Sequence, residues 1–144
     1  MSIKVCIGSD HAGFVLKKEL IDWMKSNSIN VDDRGCFSDD RADYPDYAHL
    51  VALDVVNKKC EFGVLICGSG NGIAMSANKH KGIRAALCWN EEIAILARQH
   101  NDANILVLPA RYINTEEAHK CVNRFISEKF EGGRHEARVK KIDV

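Results

Sequence analysis

Phe62-Gly63-Val64-Leu65-Ile66-Cys67-Gly68-Ser69-Gly70-Asn71-Gly72-Ile73 begins as an apolar run and turns abruptly into alternate glycines. An apolar run of strand length is the pattern of a strand buried on both faces, as in parallel sheets covered by helices. The glycines free the backbone to wrap an anion. A short helix expected to start near Asn71 would present free N–H groups and the positive end of its dipole to that loop. The segment therefore predicts a strand–loop–helix unit whose loop receives something negative or developing negative charge. No Gly-Lys-Ser/Thr follows at the Walker A offset, and the third glycine comes one residue early for G-x-G-x-x-G, so nucleotide binding is possible but unsupported.

The same alternation runs outward in both directions. Strands are predicted at Ile3–Gly8, Asn30–Asp33, Phe62–Cys67, Ile83–Cys88 and Asn104–Leu108. Between them, Leu16, Leu20, Trp23 and Met24 recur at helical spacing within Phe14–Asn27, and Tyr47, Leu50, Val51 and Val55 do so within Pro45–Lys58. Pro45 suits the first helical position. Further helices are expected over about Asn90–Gln99 and Thr115–Lys129, the latter with Asn114 and Glu117 as an N-cap pair, and a last one after Gly132-Gly133. Repeated strand–helix alternation implies an α/β fold: a doubly wound, Rossmann-like three-layer αβα sandwich on a five-stranded parallel sheet.

The chain of 144 residues is of one-domain size, so residues 1–144 are read as a single domain. Lys plus Arg total 20 and Asp plus Glu total 20, a balance that argues against a general nucleic-acid binder. The start of the chain shows no basic segment followed by an apolar one, and the longest uncharged stretch, Phe62 to Asn78, is too rich in glycine and polar residues for a membrane span. None of the 6 cysteines forms a C-x-x-C pair, so free thiols in a reducing, cytoplasmic compartment are expected.

Ligands of such folds bind at the carboxyl ends of the strands. The first such loop, Gly8-Ser9-Asp10-His11-Ala12-Gly13, projects Asp10 and His11; Asp10 could equally cap the helix that follows. Cys67 ends a buried strand at the mouth of a helix, where a thiol's pKa falls below its usual value of about 8.5 and the thiolate is favoured. Arg98-Gln99-His100-Asn101-Asp102-Ala103-Asn104 is unusually polar for a connection, although a histidine and asparagines also suit a helix end. Arg111 follows the fifth strand. Arg134 and Arg138 would share one face of a helix, as two planar forks suited to a phosphate monoester, or form part of a solvated charged face. His49, His80, His119 and His135 have no partner pattern, and no metal-ligand spacing occurs, so no metal is expected.

Six segments in series resemble the sugar-phosphate isomerase family that contains type B ribose-5-phosphate isomerase and the galactose-6-phosphate isomerase subunits. They are Gly8–Gly13, Asp43-Tyr44-Pro45, Ile66–Ile73, Ala77-Asn78-Lys79, Arg98–Asn104 and Glu131-Gly132-Gly133-Arg134-His135. The resemblance implies aldose–ketose isomerisation through an enediolate, with no cofactor. It implies Cys67 as the base that moves a proton between C1 and C2, and His100 as the residue that helps open the sugar ring. By the same resemblance Asp10 lies near the ring oxygens, Tyr44 and Asn101 line the sugar site, and His11, Arg111, Arg134 and Arg138 hold the phosphate. The loop Gly68, Ser69, Gly70, Asn71 and Gly72 would face the reacting oxygens, with N–H groups from Gly70 to Ile73 acting as an oxyanion hole. One branch of the family uses a glutamate directly after the third glycine. Here that position is Ile73, which leaves Cys67 as the base; Ser69 stands where threonine is common.

Topology adds an expectation about assembly. Cys67 ends a strand, whereas His100 and Asn101 precede one, so one subunit would hold them at opposite edges of its sheet. A homodimer with shared sites resolves this, with a dimer of dimers as an extension, and the family's sites at dimer interfaces agree. The expected partner is a small sugar phosphate, with no nucleic acid and no membrane. Ribose 5-phosphate is the leading substrate, with allose 6-phosphate or galactose 6-phosphate as close alternatives and a non-enzymatic nucleotide-binding module as a competing class.

Overall fold

A computed structural model describes residues 3–144, leaving Met1 and Ser2 outside the described residues. The chain forms β1 (Lys4–Ser9), a 3-10 turn (His11–Gly13), α1 (Phe14–Ser26), β2 (Asn30–Asp33), α2 (Tyr44–Val56), β3 (Phe62–Cys67) and α3 (Asn71–Ala77). It continues through β4 (Ala85–Leu87), α4 (Glu91–Asn101), β5 (Ile105–Pro109), a second 3-10 turn (Ala110–Tyr112), α5 (Thr115–Ser127) and α6 (Arg134–Lys140). The strands make one five-stranded sheet in the order β2-β1-β3-β5-β4, and every pairing is parallel.

The three central strands, β1, β3 and β5, are buried on both faces, as their apolar sequences require. Along β3, Phe62, Val64 and Ile66 pack into one core with Leu20 and Met24 of α1, Ala97 of α4 and Phe125 of α5. Leu65 and Cys67, pointing the other way, join Ala48, Val51, Ala52 and Val55 of α2 and Ile73 and Ala77 of α3. Alternate side chains of a strand face opposite layers, so a single sheet feeds two cores. No described helix is long and apolar enough to cross a membrane.

Several sequence readings need correction. Leu50, expected on the inner face of α2, is exposed; Ala48 and Ala52 take the inner stripe with Val51 and Val55. Small alanines let this helix lie close to the sheet, and a pattern weighted to large side chains misses them. β4 is three residues long instead of six because it is an edge strand with one sheet neighbour. Its free side is capped by Asn78, whose Oδ1 accepts from Ala85 N–H at 2.8 Å and whose Nδ2 donates to Ala85 O at 2.9 Å. That amide imitates a neighbouring strand and satisfies the edge. Asn104 secures the approach to β4 by accepting from Arg84 N–H at 2.8 Å and donating to Gly82 O at 2.8 Å.

α4 runs on to Asn101 instead of ending at Gln99, so His100 and Asn101 lie in its last turn. Asp102 then ends it in the left-handed conformation at φ 47°. The Asn114 cap of α5 is present, with Oδ1 accepting from Glu117 N–H at 2.8 Å. The Glu117 carboxylate, however, turns to Glu91 N–H at 2.7 Å and ties α5 to the start of α4. The expectation of free thiols holds for Cys36, Cys67, Cys88 and Cys121 and fails for one pair: Cys6 and Cys60 are joined as a disulfide, with Cα atoms 5.9 Å apart. β1 lies beside β3, and the chain entering β3 brings Cys60 against Cys6.

Candidate active site

The carboxyl ends of β1, β3 and β5 open into a cleft of about 510 Å³ lined by Asp10, His11, Tyr44, Cys67, Gly68, Ser69, Gly72 and Arg111. Parallel pairing brings them there: Ser9 is in register with Ile66, and Cys67 with Pro109, so three successive loops leave the sheet at one level. Cys67 is 4% exposed, with its side chain on the α2–α3 face of the sheet.

Around Cys67 each loop is held by its own hydrogen bonds. Asp10 Oδ1 accepts from Gly13 N–H at 3.1 Å and closes the turn after β1, so its capping role is real, and the residue still lines the cleft. His11 Nδ1 lies 3.2 Å from both the N–H and the carbonyl oxygen of Ala42. That contact fixes the ring to the loop before α2 and leaves Nε2 free of it. Gly70 has φ 82°, a left-handed conformation suited to glycine, and turns the chain from β3 into α3. At Gly72 any Cβ would collide with the Tyr44 ring, so the absence of a side chain lets Tyr44 close over the loop.

Within this loop Asn71 N–H is taken by Ser69 Oγ at 3.2 Å, and the first helical bond of α3 runs from Ala74 N–H to Gly70 O at 3.2 Å. Gly72 and Ile73 N–H precede that bond, in the turn whose donors have no helical acceptor. The expected anion cradle therefore narrows to fewer N–H groups than the whole span Gly70–Ile73. Gly70 and Asn71 shape the turn without lining the cleft. Arg111 N–H donates to Gly68 O at 3.0 Å, and its guanidinium packs over Gly68. Sequence reading missed Arg41 and Tyr112, which also line the cleft. Arg41 sits in an irregular loop with no periodicity to mark it.

His100, Asn101, Arg134 and Arg138 are not in this cleft; they gather at the other edge of the sheet. His100 and Asn101 end α4 just before β5, and α6, which carries Arg134 and Arg138, packs against α4. His135, which showed no partner pattern in the sequence, stacks on His100 with ring centroids 4.2 Å apart and planes inclined by 15°. Glu131 Oε1 lies 3.9 Å from His100 Nε2 and 3.7 Å from His135 Nε2. The four-residue step from Glu131 to His135 was the available signal; the stack joins distant segments and left none. His49 Nδ1 and His80 Nε2 also meet, at 2.7 Å, between α2 and the turn after α3.

Burial of His80 and the neighbouring His49 hold the His80 imidazole below its ordinary range. His135 is pushed down by burial and then by His100, Arg134 and Arg138, with Glu131 acting in the opposite direction. Burial drives the Cys88 and Cys121 thiols up to about 12, so both remain protonated and chemically inert at neutral pH. Among the described residues, two clusters offer metal-ligand atoms within 4.8 Å of one another: Cys6, Asp54 and Cys60, and His100, Glu131 and His135. In the first the two sulfurs are joined to each other. In the second the stacked rings point their lone pairs along separate, nearly parallel planes, which do not converge on one ion.

Residues 5–142 match the model of the Ribose/Galactose Isomerase family. The chain belongs to that family. Within the ribose/galactose isomerases it is 43% identical over 139 residues to "Ribose-5-phosphate isomerase B" of Escherichia coli, covering 96% of this chain and 93% of the relative. Its fold superimposes with a TM-score of 0.98 on the crystal structure of a ribose 5-phosphate isomerase from Thermotoga maritima, at 47% identity and 99% coverage of both chains. It also matches ribose-5-phosphate isomerase B from Mycoplasma genitalium with bound ribulose-5-phosphate, at a TM-score of 0.92 and 46% identity over 99% of this chain and 95% of that one. The parallel sheet and its two helical layers are thus those of the ribose/galactose isomerase family.

Proposed function

We propose that this single-domain chain interconverts ribose 5-phosphate and ribulose 5-phosphate through an enediolate, in sites that two copies of the chain build together. The observation that carries this reading is Cys67, held at the back of a cleft that also contains His11 and Arg111. A family relative of 46% identity has ribulose-5-phosphate bound, which supports the choice of a five-carbon substrate.

His11 and Arg111 hold the phosphate from one side, and Arg134 and Arg138 of the partner subunit from the other. Charge-assisted bonds to a dianion supply binding energy remote from the reacting carbons. His100 of the partner subunit takes the proton of the anomeric hydroxyl, C1 becomes a carbonyl as its bond to the ring oxygen breaks, and the imidazolium returns that proton to the ring oxygen, which leaves as a hydroxyl with Asp10 beside it. In the open aldose, Cys67 as thiolate removes the proton from C2. The electrons move onto O1, where Gly72 and Ile73 N–H meet the developing charge. A proton moves from the hydroxyl on C2 to O1, and the thiol returns its proton to C1, giving the ketose. Tyr44 and Asn101 of the partner subunit line the sugar.

The opposite placement of the Cys67 cleft and the His100–Arg134–Arg138 group supports the shared-site homodimer. Exposed Leu50 and Leu53 of α2 and Met75 of α3 offer apolar surface for such a contact. The dimer of dimers is a further step on the same symmetry, and a cytoplasmic setting suits the substrate. A coupled assay comparing ribose 5-phosphate with allose 6-phosphate and galactose 6-phosphate tests the reading. Preferred turnover of ribose 5-phosphate is expected, and folded protein that turns over none of the three overturns it.

A further inference from the structure

The polar cluster at the end of α4 is more organised than a helix terminus requires. His100 is half-exposed and lies under the ring of His135, which is 7% exposed. His135 Nε2 is buried without a hydrogen-bond partner. Glu131 faces both rings, and its backbone is anchored: Glu131 N–H donates to Gln99 O at 3.0 Å. Gln99 Nε2 donates in turn to Glu128 Oε2 at 3.0 Å, and Arg98 Nε to Glu128 O at 3.3 Å. The strap between α5 and α6 is thereby laced along the last turn of α4, which anchors the Glu131 backbone beside the end of α4 that carries His100.

We propose that Glu131 and His135 are positioning residues for His100, holding its imidazole in one orientation and stabilising it when it takes up the sugar's anomeric proton. The assignment rests on the isomerase reading above and deepens it. The stack blocks rotation of the His100 ring across its face. Burial first, then His100 and the arginines, hold His135 below its ordinary range, which disfavours a second positive charge in the stack. The Glu131 carboxylate stands 3.9 Å from His100 Nε2, so a proton taken up from the sugar arrives beside an anion. Neither residue touches the carbon that gives up its proton; that step belongs to Cys67.

This division of labour can be measured, because ribulose 5-phosphate is open-chain: its 5-hydroxyl is blocked by phosphate and cannot close a ring on C2. Exchange of its C1 hydrogen with solvent deuterium therefore reports enolisation alone, whereas turnover of ribose 5-phosphate also requires ring opening. In Glu131→Gln and His135→Ala, ribose 5-phosphate turnover should fall by about tenfold or more. Deuterium exchange into ribulose 5-phosphate should stay within about twofold of the parent protein. Glu131 is exposed, so Glu131→Gln tests the idea even if His135→Ala fails to fold. Unchanged ribose 5-phosphate turnover in Glu131→Gln overturns the proposal, and so does an equal loss of turnover and exchange, which marks a merely structural role. Parent protein with neither activity overturns the isomerase reading instead.

Discussion

Cys67 and His100 stand at opposite edges of one parallel sheet. Cys67 is the last residue of β3, paired with Pro109 at the end of β5; His100 lies in the last turn of α4, which delivers the chain to the start of β5 opposite Gly63. Four residues of strand separate the levels of Gly63 and Cys67, about 13 Å at the usual rise. The proposed site, in which one sugar phosphate touches both residues, therefore draws them from different subunits, and the function and the assembly become one hypothesis.

Replacement of Cys67 tests the base. Cys67→Ala removes the proton carrier and leaves the glycine loop and the cations in place. A general base contributes about 10²–10⁴-fold, so kcat should fall at least a hundredfold with KM changed little. Steady-state kinetics beside a thermal unfolding curve check this; a parent-like kcat would remove Cys67 from the mechanism.

The arginines should behave differently. Arg111→Ala and Arg134→Ala each remove a charge-assisted bond to the phosphate, of about 1.5–3 kcal/mol, or roughly ten- to hundredfold in kcat/KM. Inorganic phosphate should inhibit the parent competitively and each variant more weakly. Equal inhibition of parent and variants would place the phosphate elsewhere.

Much of this arrangement was legible in residue order. The bounds of β2 and β3 follow from their sequence pattern, and the Asn114 cap marks the start of α5. Cys67, His11 and Arg111 were accessible because a parallel sheet sends the loops after its strands to one edge. The stack of His135 on His100 was not, since it joins α4 to α6 across the whole of α5. Nor was the Cys6–Cys60 pairing, which depends on β1 lying beside β3. The side-chain amide of Asn78 edging β4 is a third case: a segment that carries the family resemblance closes a sheet rather than touching the cleft.

Acid should destabilise the fold before its carboxylates titrate. His80 and His135 both lie below their ordinary value of 6.5 in the folded chain. As pH falls from 6.5 toward those lower values, the unfolded chain binds protons that the folded one does not, so stability is full above 6.5 and declines below it. The thermal midpoint should drop between about pH 7.5 and 5.5, a range in which ordinary carboxylates stay ionised. It should drop less in His80→Gln; because His80 is near the surface the difference is small. A midpoint that rises across this range would reverse the assignment.

The central claim is that each site takes Cys67 from one subunit and His100 from the other, and subunit mixing measures it directly. Cys67→Ala and His100→Ala are each prepared alone, then unfolded together and refolded as an equal mixture. Half of the dimers should be mixed, and each mixed dimer should hold one intact site, so the mixture should recover about a quarter of the parent rate on ribose 5-phosphate. A refolded, dimeric mixture no more active than the two variants measured separately would contradict the shared site.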